Sequence, residues 1–346
     1  MCSISVPTKI LKTLETSSSL GMFARDTGGC LTSKLALSRS KDEAKEIAFS
    51  ELAESALFYL SAPVAAKAAS NIFSKGFNVD KKQMTEPLYN IKNLGKEQLK
   101  NIKLAKFAQI GTVFSLILPF VFAIAPVRNI MTYSDNGKEE FVSVVGLKKT
   151  QEQEKREEAK EKAKKLVKKL AKISAVSIGA TAVIAAASKN DKIYDKTKNF
   201  ITGVVDNLGF SEKNDLKLSH YGALIYPVSI ASYFYASRDK YEKEENARRF
   251  SVTVPLLFYG ERAIEKPIHK GFDKLFNTKV MENGKIKSYE EILKMPCDVQ
   301  KKFLKSKNWA YGLTFLTNTM LIAGAVALLN RIATKKKYER ENGKTK

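Results

Sequence analysis

The chain has 346 residues, with 59 Lys or Arg against 36 Asp or Glu and a formal charge of +23. A balance that basic calls for an anionic partner, either nucleic acid or a membrane surface. Lysines outnumber arginines by 49 to 10, which disfavours bidentate phosphate readout, and three scattered cysteines (Cys2, Cys30, Cys297) make neither a disulfide framework nor a metal knuckle, so a reducing compartment is expected.

Residues 1–46 form a polar N-terminal segment without a continuous apolar core of signal-peptide length. Its Ser/Thr-rich, acid-poor composition resembles an organellar transit peptide, although Arg is sparse. Asp26-Thr27-Gly28 matches the short core of an aspartic-protease loop. That chemistry needs two carboxylates sharing a proton, and no second copy exists. A loop with a Gly-Gly turn is expected instead.

Ile47 to Val64 carries an apolar stripe interrupted by Glu51, Glu54, Ser55 and Ser61. It predicts an amphipathic helix lying at an interface or packed on the fold. Phe107 to Val127 then runs for twenty-one residues without an Asp, Glu, Lys or Arg. A bilayer core of about 30 Å needs roughly 20 helical residues, and a soluble helix of that length normally shows charge on its outer face. The segment therefore reads as transmembrane.

Gln151 to Lys172 predicts a solvated helix braced by the pairs Glu152-Arg156, Glu158-Lys162 and Glu161-Lys165. Its second half holds Lys160, Lys162, Lys164, Lys165, Lys168, Lys169 and Lys172, the residues expected to contact lipid head groups. The helix continues into Ile173–Ser188, where Ala171, Ala175, Gly179 and Ala187 recur at multiples of four as a helix-packing stripe. Leu218–Ser237 and Trp309–Asn330 are two further uncharged stretches. Four spans result, with Ile173–Ser188 the weakest by length and composition. His220 is expected to anchor the interface at the start of Leu218–Ser237, and Phe250–Gly260 is too short to span.

Four spans leave 29 basic residues on one side and 30 on the other, which sets no orientation. Dropping Ile173–Ser188 gives 26 against 33 and favours a cytoplasmic N-terminus.

Asn283-Gly284, flanked by Val280 and Ile286, predicts a type I′ β-hairpin within 279–287. In the last span Thr314, Thr317, Asn318 and Thr319 cluster, and Thr314, Thr317 and Asn318 are expected to hydrogen-bond between helices. Residues 334–346 read as a disordered basic tail. A faint repeat aligns Gly95–Gly111 with Pro296–Gly312 at an offset of 201, pairing Lys106 with Lys307. It divides the chain into repeat unit A (47–135), a central 136–240, repeat unit B (241–333) and the tail.

The expected fold is all-α, a polytopic helical membrane protein with about four transmembrane helices plus amphipathic and basic helices beside the membrane. No catalytic, cofactor or metal motif is present, and the two histidines, His220 and His269, have no companions for a zinc site. The leading expectation is a non-enzymatic integral membrane protein that engages anionic lipids as a scaffold or membrane-organising factor. Its expected location is a bacterial inner membrane, with an organellar membrane as the alternative, and self-association as a homo-oligomer is compatible with it. A transport or channel component with an uncharged polar path comes second. A nucleic-acid-binding protein comes third, on charge alone. With the lysines beside apolar spans and no basic-aromatic module, no nucleic-acid partner is expected.

Overall fold

A computed structural model describes residues 5–16, 18–91, 94–150, 153–210 and 214–343. The described chain is helical apart from one small hairpin. In order come α1 (Val6–Thr16), α2 (Ser18–Phe23), a π-helical stretch (Ala24–Cys30), α3 (Leu31–Ala36) and α4 (Lys41–Ser55). A second π stretch (Ala56–Ser61) leads into α5 (Ala62–Gly76), followed by α6 (Lys81–Thr85), α7 (Lys96–Asn136), α8 (Phe141–Val144), α9 (Arg156–Ala187) and α10 (Asp191–Leu208). Next are α11 (Leu218–His220), a π stretch (Tyr221–Ile225) and α12 (Tyr226–Tyr235), then α13 (Lys240–Pro255), a π stretch (Leu256–Gly260) and α14 (Glu261–Phe276). The strands β1 (Met281–Glu282) and β2 (Lys285–Ile286) precede α15 (Tyr289–Leu293), α16 (Cys297–Thr319), a last π stretch (Met320–Ala325) and α17 (Val326–Glu341).

Two compact units result, one of residues 49–144 and 149–238, the other of 1–48, 145–148 and 239–346. This division differs from the expected segments, because 47–135 and most of 136–240 pack as one body.

In the first unit α7 is the central helix. It buries Ile110, Val113, Phe114, Ile117 and Val121 among α5, α9, α10 and α12. Polar groups tie it in as well. Gln109 Nε2 donates to the Ala66 carbonyl at 3.0 Å, and Ser232 of α12 donates to the Phe122 carbonyl at 2.6 Å. A helix apolar on all sides suits either a span or the core of a packed body, and α7 has the composition for the first and much of the burial for the second. Of its most apolar window, 44% is buried within the protein, against 11% for α9.

The α7–α9 pair is antiparallel along its whole length. Lys100 meets Asp191 at 2.6 Å, and Tyr133 donates to Glu158 at the opposite end. Between them a Cβ on Gly111 would fall 2.2 Å from Thr181 Cγ2. Glycine is required at that crossing.

Among the described residues, three helices are long and apolar enough to cross a membrane: Lys96–Asn136, Arg156–Ala187 and the continuous run Cys297–Glu341. The fourth expected span is not among them. Leu218–Ser237 folds as α11, a π stretch and α12, and its tyrosines, His220 and Pro227 dilute its apolar content. Ile173–Ser188 qualifies instead, because it rides on a 32-residue helix. The order of these two segments is the reverse of the composition-based one.

The second unit holds the hairpin, with Met281 paired to Ile286 and Glu282 to Lys285. Asn283 (φ 49°) and Gly284 (φ 75°) supply the two positive φ values of a type I′ turn. Asp273 pins its start, since Oδ1 accepts from Val280 N at 2.9 Å and Oδ2 from Met281 N at 2.8 Å. Beneath it Val280, Tyr289, Ile292 and Leu304 form a buried cluster.

Three further expectations are corrected. The tail from Thr334 continues α17 to Glu341 rather than standing disordered, held by Lys337 to Glu244 and by Lys240 to Glu341 at 2.7 Å. The Asp26-Thr27-Gly28 stretch lies in a π-helical turn, where a Cβ on Gly29 would come within 2.1 Å of Thr319 Cγ2. Cys297 is disulfide-bonded, whereas Cys30 is buried and in no disulfide, which departs from the expectation of a chain without disulfides.

Lys106 and Lys307 are both buried, and each Nζ donates to a backbone carbonyl 20 residues upstream, Glu86 and Lys287 respectively. Their helices begin at equivalent positions, Lys96 and Cys297. In each half a π stretch follows the preceding helix, and the next helix is closed by a left-handed Asn just after a Phe: Phe77-Asn78 (φ 53°) and Phe276-Asn277 (φ 45°).

Candidate functional site

The lysine-rich half of α9 is exposed and begins at Arg156, five residues later than expected; Gln151 and Glu152 lie outside the described residues. The braces differ from the expected ones. Lys160 pairs with Glu157 at 2.6 Å and Lys164 with Glu161 at 3.2 Å, both at three-residue spacing. Glu158 accepts from Tyr133, which leaves Lys162 to stack over the Tyr133 ring at 3.8 Å and approach Glu139 at 3.9 Å.

This pairing separates the seven expected head-group lysines into two sets. Lys160, Lys162 and Lys164 have acidic partners. Lys165, Lys168, Lys169 and Lys172 make no ion pair among the described residues, and all four are exposed. Their spacing of i, i+3, i+4 and i+7 places them on one face of the helix. Immediately C-terminal, Ile173 (45% exposed), Val176 (71%) and Val183 (67%) leave the same helix with an uncovered apolar surface.

Beside the stripe, α7, α9 and α10 enclose an open groove of about 610 Å³. Ile110, Phe114 and Leu118 form one wall and Leu170 and Ile173 the other, with Lys169 at the rim. Phe107 and Phe200, 5.8 Å apart edge to face, close one end. The antiparallel register puts Lys169 near the opposite end, level with Phe122.

Ala175 and Gly179, expected to pack between helices, are exposed, and a Cβ on Gly179 would touch nothing within 4 Å. The close helix approach falls instead at Gly111 and Thr181, on the opposite side of α9. Ser177, Thr181 and Ala185, small residues at four-residue spacing, mark that face.

The polar cluster of the last apolar helix also departs from expectation. Thr314 donates to the Ala310 carbonyl of its own helix at 2.8 Å, and Thr317 is half-buried. Asn318 is fully buried with neither amide atom hydrogen-bonded, and Thr319 Oγ1 is likewise unpartnered. Asn318 Oδ1 would stand 3.6 Å from a Cβ on Gly260, in the π stretch after α13.

Both histidines are buried, so His220 does not present the exposed ring expected of an interfacial anchor. His220 is fully buried between Phe114 and Phe210, with ring centroids 5.2 and 5.1 Å away. Its Nδ1 accepts from Lys217 N, so Nε2 carries the proton and donates to the Leu208 carbonyl, each at 2.8 Å. His269 on α14 is buried with both nitrogens unpartnered. Burial, reinforced by the nearby Lys307 charge and opposed by Asp273, holds its pKa down at about 4.

A buried charge cluster escaped sequence reading altogether. Glu43 accepts from Arg39 at 2.8 Å and from Arg331 at 3.3 Å, and Arg39 also meets Glu245 at 3.0 Å. Burial pushes Glu43 up, but hydrogen bonding and charge from Arg39, with Arg331, bring it below the usual carboxylate value. A signal was available: Ser38-Arg39-x-Lys41-x-Glu43 recurs as Ser237-Arg238-x-Lys240-x-Glu242.

Comparison with family models, curated proteins and solved structures finds no match for the chain.

Proposed function

We propose that this is a non-enzymatic integral membrane protein, a scaffold or membrane-organising factor, that grips anionic lipid head groups through the free lysine face of α9. The observation that carries the reading is the adjacency of Lys165, Lys168, Lys169 and Lys172, all without ion-pair partners among the described residues, to the uncovered apolar surface of Ile173–Ala187. Each lysine near an anionic surface contributes about 1 kcal/mol, and the attraction fades beyond a Debye length. A bacterial inner membrane fits this reading, with anionic lipid as partner and a homo-oligomer compatible with it.

The test is flotation of the full-length protein with anionic and with zwitterionic vesicles, at low and at high salt. Replacing the four lysines with Gln should remove the preference for anionic vesicles while leaving insertion intact. Equal recovery of wild type from both vesicle types, indifferent to salt, would sink the electrostatic reading.

A second reading, a transport component, is favoured by Asn318 and Thr319, whose buried polar atoms lack partners. Buried polar groups are normally satisfied, and exceptions gather at functional sites. Solute flux through proteoliposomes decides between the two. We also propose that the chain is a duplicated helical unit. The paired Lys106–Glu86 and Lys307–Lys287 contacts support it.

A further inference from the structure

We propose that the α7–α9–α10 groove holds one acyl chain of an anionic phospholipid, with the phosphate of that lipid at Lys169. This rests on the membrane reading above and deepens it, turning a diffuse electrostatic surface into a built site.

The groove has the volume of a ligand site, about 610 Å³, within the common range of about 300–1,000 Å³. From Phe107 to Phe122 it follows fifteen residues of α7, about 22 Å at 1.5 Å per residue. It is long and lined mostly by aromatic and aliphatic side chains, which suits an extended hydrocarbon chain rather than a compact polar ligand.

Its polarity is one-sided. Phe107 and Phe200 stand edge to face at one end, and Lys169, the only charged residue lining the groove among the described residues, stands near the other. Lys169 also belongs to the unpaired stripe, so Lys165, Lys168 and Lys172 add positive charge around the same point, and no acid among the described residues pairs with them. An anionic head with an apolar tail matches both halves at once. A neutral lipid matches only the tail.

The experiment is native mass spectrometry of the full-length protein in neutral detergent. Phosphatidylglycerol and phosphatidylcholine of identical chains are titrated, with glycerol phosphate and a free fatty acid as separate arms. Wild type should retain phosphatidylglycerol about fivefold more tightly than phosphatidylcholine, the factor that about 1 kcal/mol provides. Lys169→Gln should abolish the preference, and Lys160→Gln, whose lysine is paired with Glu157, should keep it.

Ser177→Phe and Ser115→Phe fill the groove from opposite walls, and each should lose both lipids while retaining helicity by circular dichroism. If one of them misfolds, the other carries the test. The site is overturned if both filled variants bind lipid as wild type does, or if wild type shows no head-group preference. Tighter binding of the free fatty acid overturns the choice of phospholipid. A change of oligomeric state in the filled variants without lipid loss shows that a second copy, not lipid, occupies the groove. Flotation separates the two levels. Wild type that fails to float on anionic vesicles removes the membrane reading itself, whereas a floating protein with an indifferent groove removes only this inference.

Discussion

Arg331 and Glu43 stand 3.3 Å apart although 288 residues separate them in the chain. Both side chains are nearly buried, at 9% and 8% exposure, so neither charge has water to fall back on. Removing one partner of such a pair typically costs about 3–5 kcal/mol, because the other charge is left uncompensated. Glu43→Ala should therefore destabilise strongly, and Glu43→Ala combined with Arg331→Met less than additively. Chemical denaturation in detergent measures both, and strict additivity would show that the two side chains are not coupled. The carboxylate of Glu43 titrates below its unfolded value of 4.5. Its contribution is thus complete above that pH and is lost as pH falls through the lower, folded value.

His269 works in the opposite pH sense to a paired histidine. Its folded pKa of about 4 lies below the ordinary histidine value of 6.5, so between those two values the unfolded chain binds the extra proton. Stability should fall on acidification from about pH 6.5 to 4, with a slope of at most about 1.4 kcal/mol per pH unit from this site. His269→Leu should flatten that part of the profile. An unchanged slope in the variant would mean that the buried ring titrates normally.

The two buried lysines offer a test of duplication. Lys307 also meets Glu15 at 2.5 Å and stacks over Tyr289 at 4.6 Å, contacts Lys106 does not share. Lys106→Met and Lys307→Met should each weaken protection of the short segment upstream, around Leu88 and Tyr289 respectively. A loss of about 1–3 kcal/mol is the usual cost of leaving a buried acceptor unmet. Hydrogen exchange reads the two sites separately. Opposite outcomes at the two lysines would count against a shared origin.

Gly111→Leu should cost about 1–3 kcal/mol through overpacking, because the new Cβ would overlap Thr181 Cγ2. Thr181→Ala should recover part of that loss. A thermal-melt double-mutant cycle measures the coupling, and an absence of rescue would place the crossing elsewhere.

Helical class, the turn at Asn283-Gly284 and the exposed lysine run were legible, because each follows from local chemistry: periodicity, positive φ and charge. Span identity was less so. The charge-free stretch Phe107–Val127 satisfies a composition rule equally well as a lipid-facing helix or as the centre of a bundle, and only partners such as Ala66 and Ser232 distinguish them. The subdivision of the lysines depended on Glu158, which a four-residue rule assigned to Lys162 and which Tyr133 takes instead. Glu43 with Arg331 was out of reach of any local rule, and the groove exists only once the α7–α9 register is set.

That register has a consequence for where such a protein settles. With Gly111 beside Thr181 and Tyr133 beside Glu158, the uncharged parts of the two helices coincide only along residues 107–118 and 173–184. At 1.5 Å per residue this shared length is about 18 Å, well short of a hydrocarbon core of about 30 Å. On the proposed membrane reading, a bilayer meeting the α7–α9 pair must pinch inward or let the lysines of α9 reach toward its surface, at a cost that grows with each ångström of mismatch. The protein should then collect in the thinnest membrane available to it, and vesicles of graded acyl-chain length should recruit it in inverse order of their thickness.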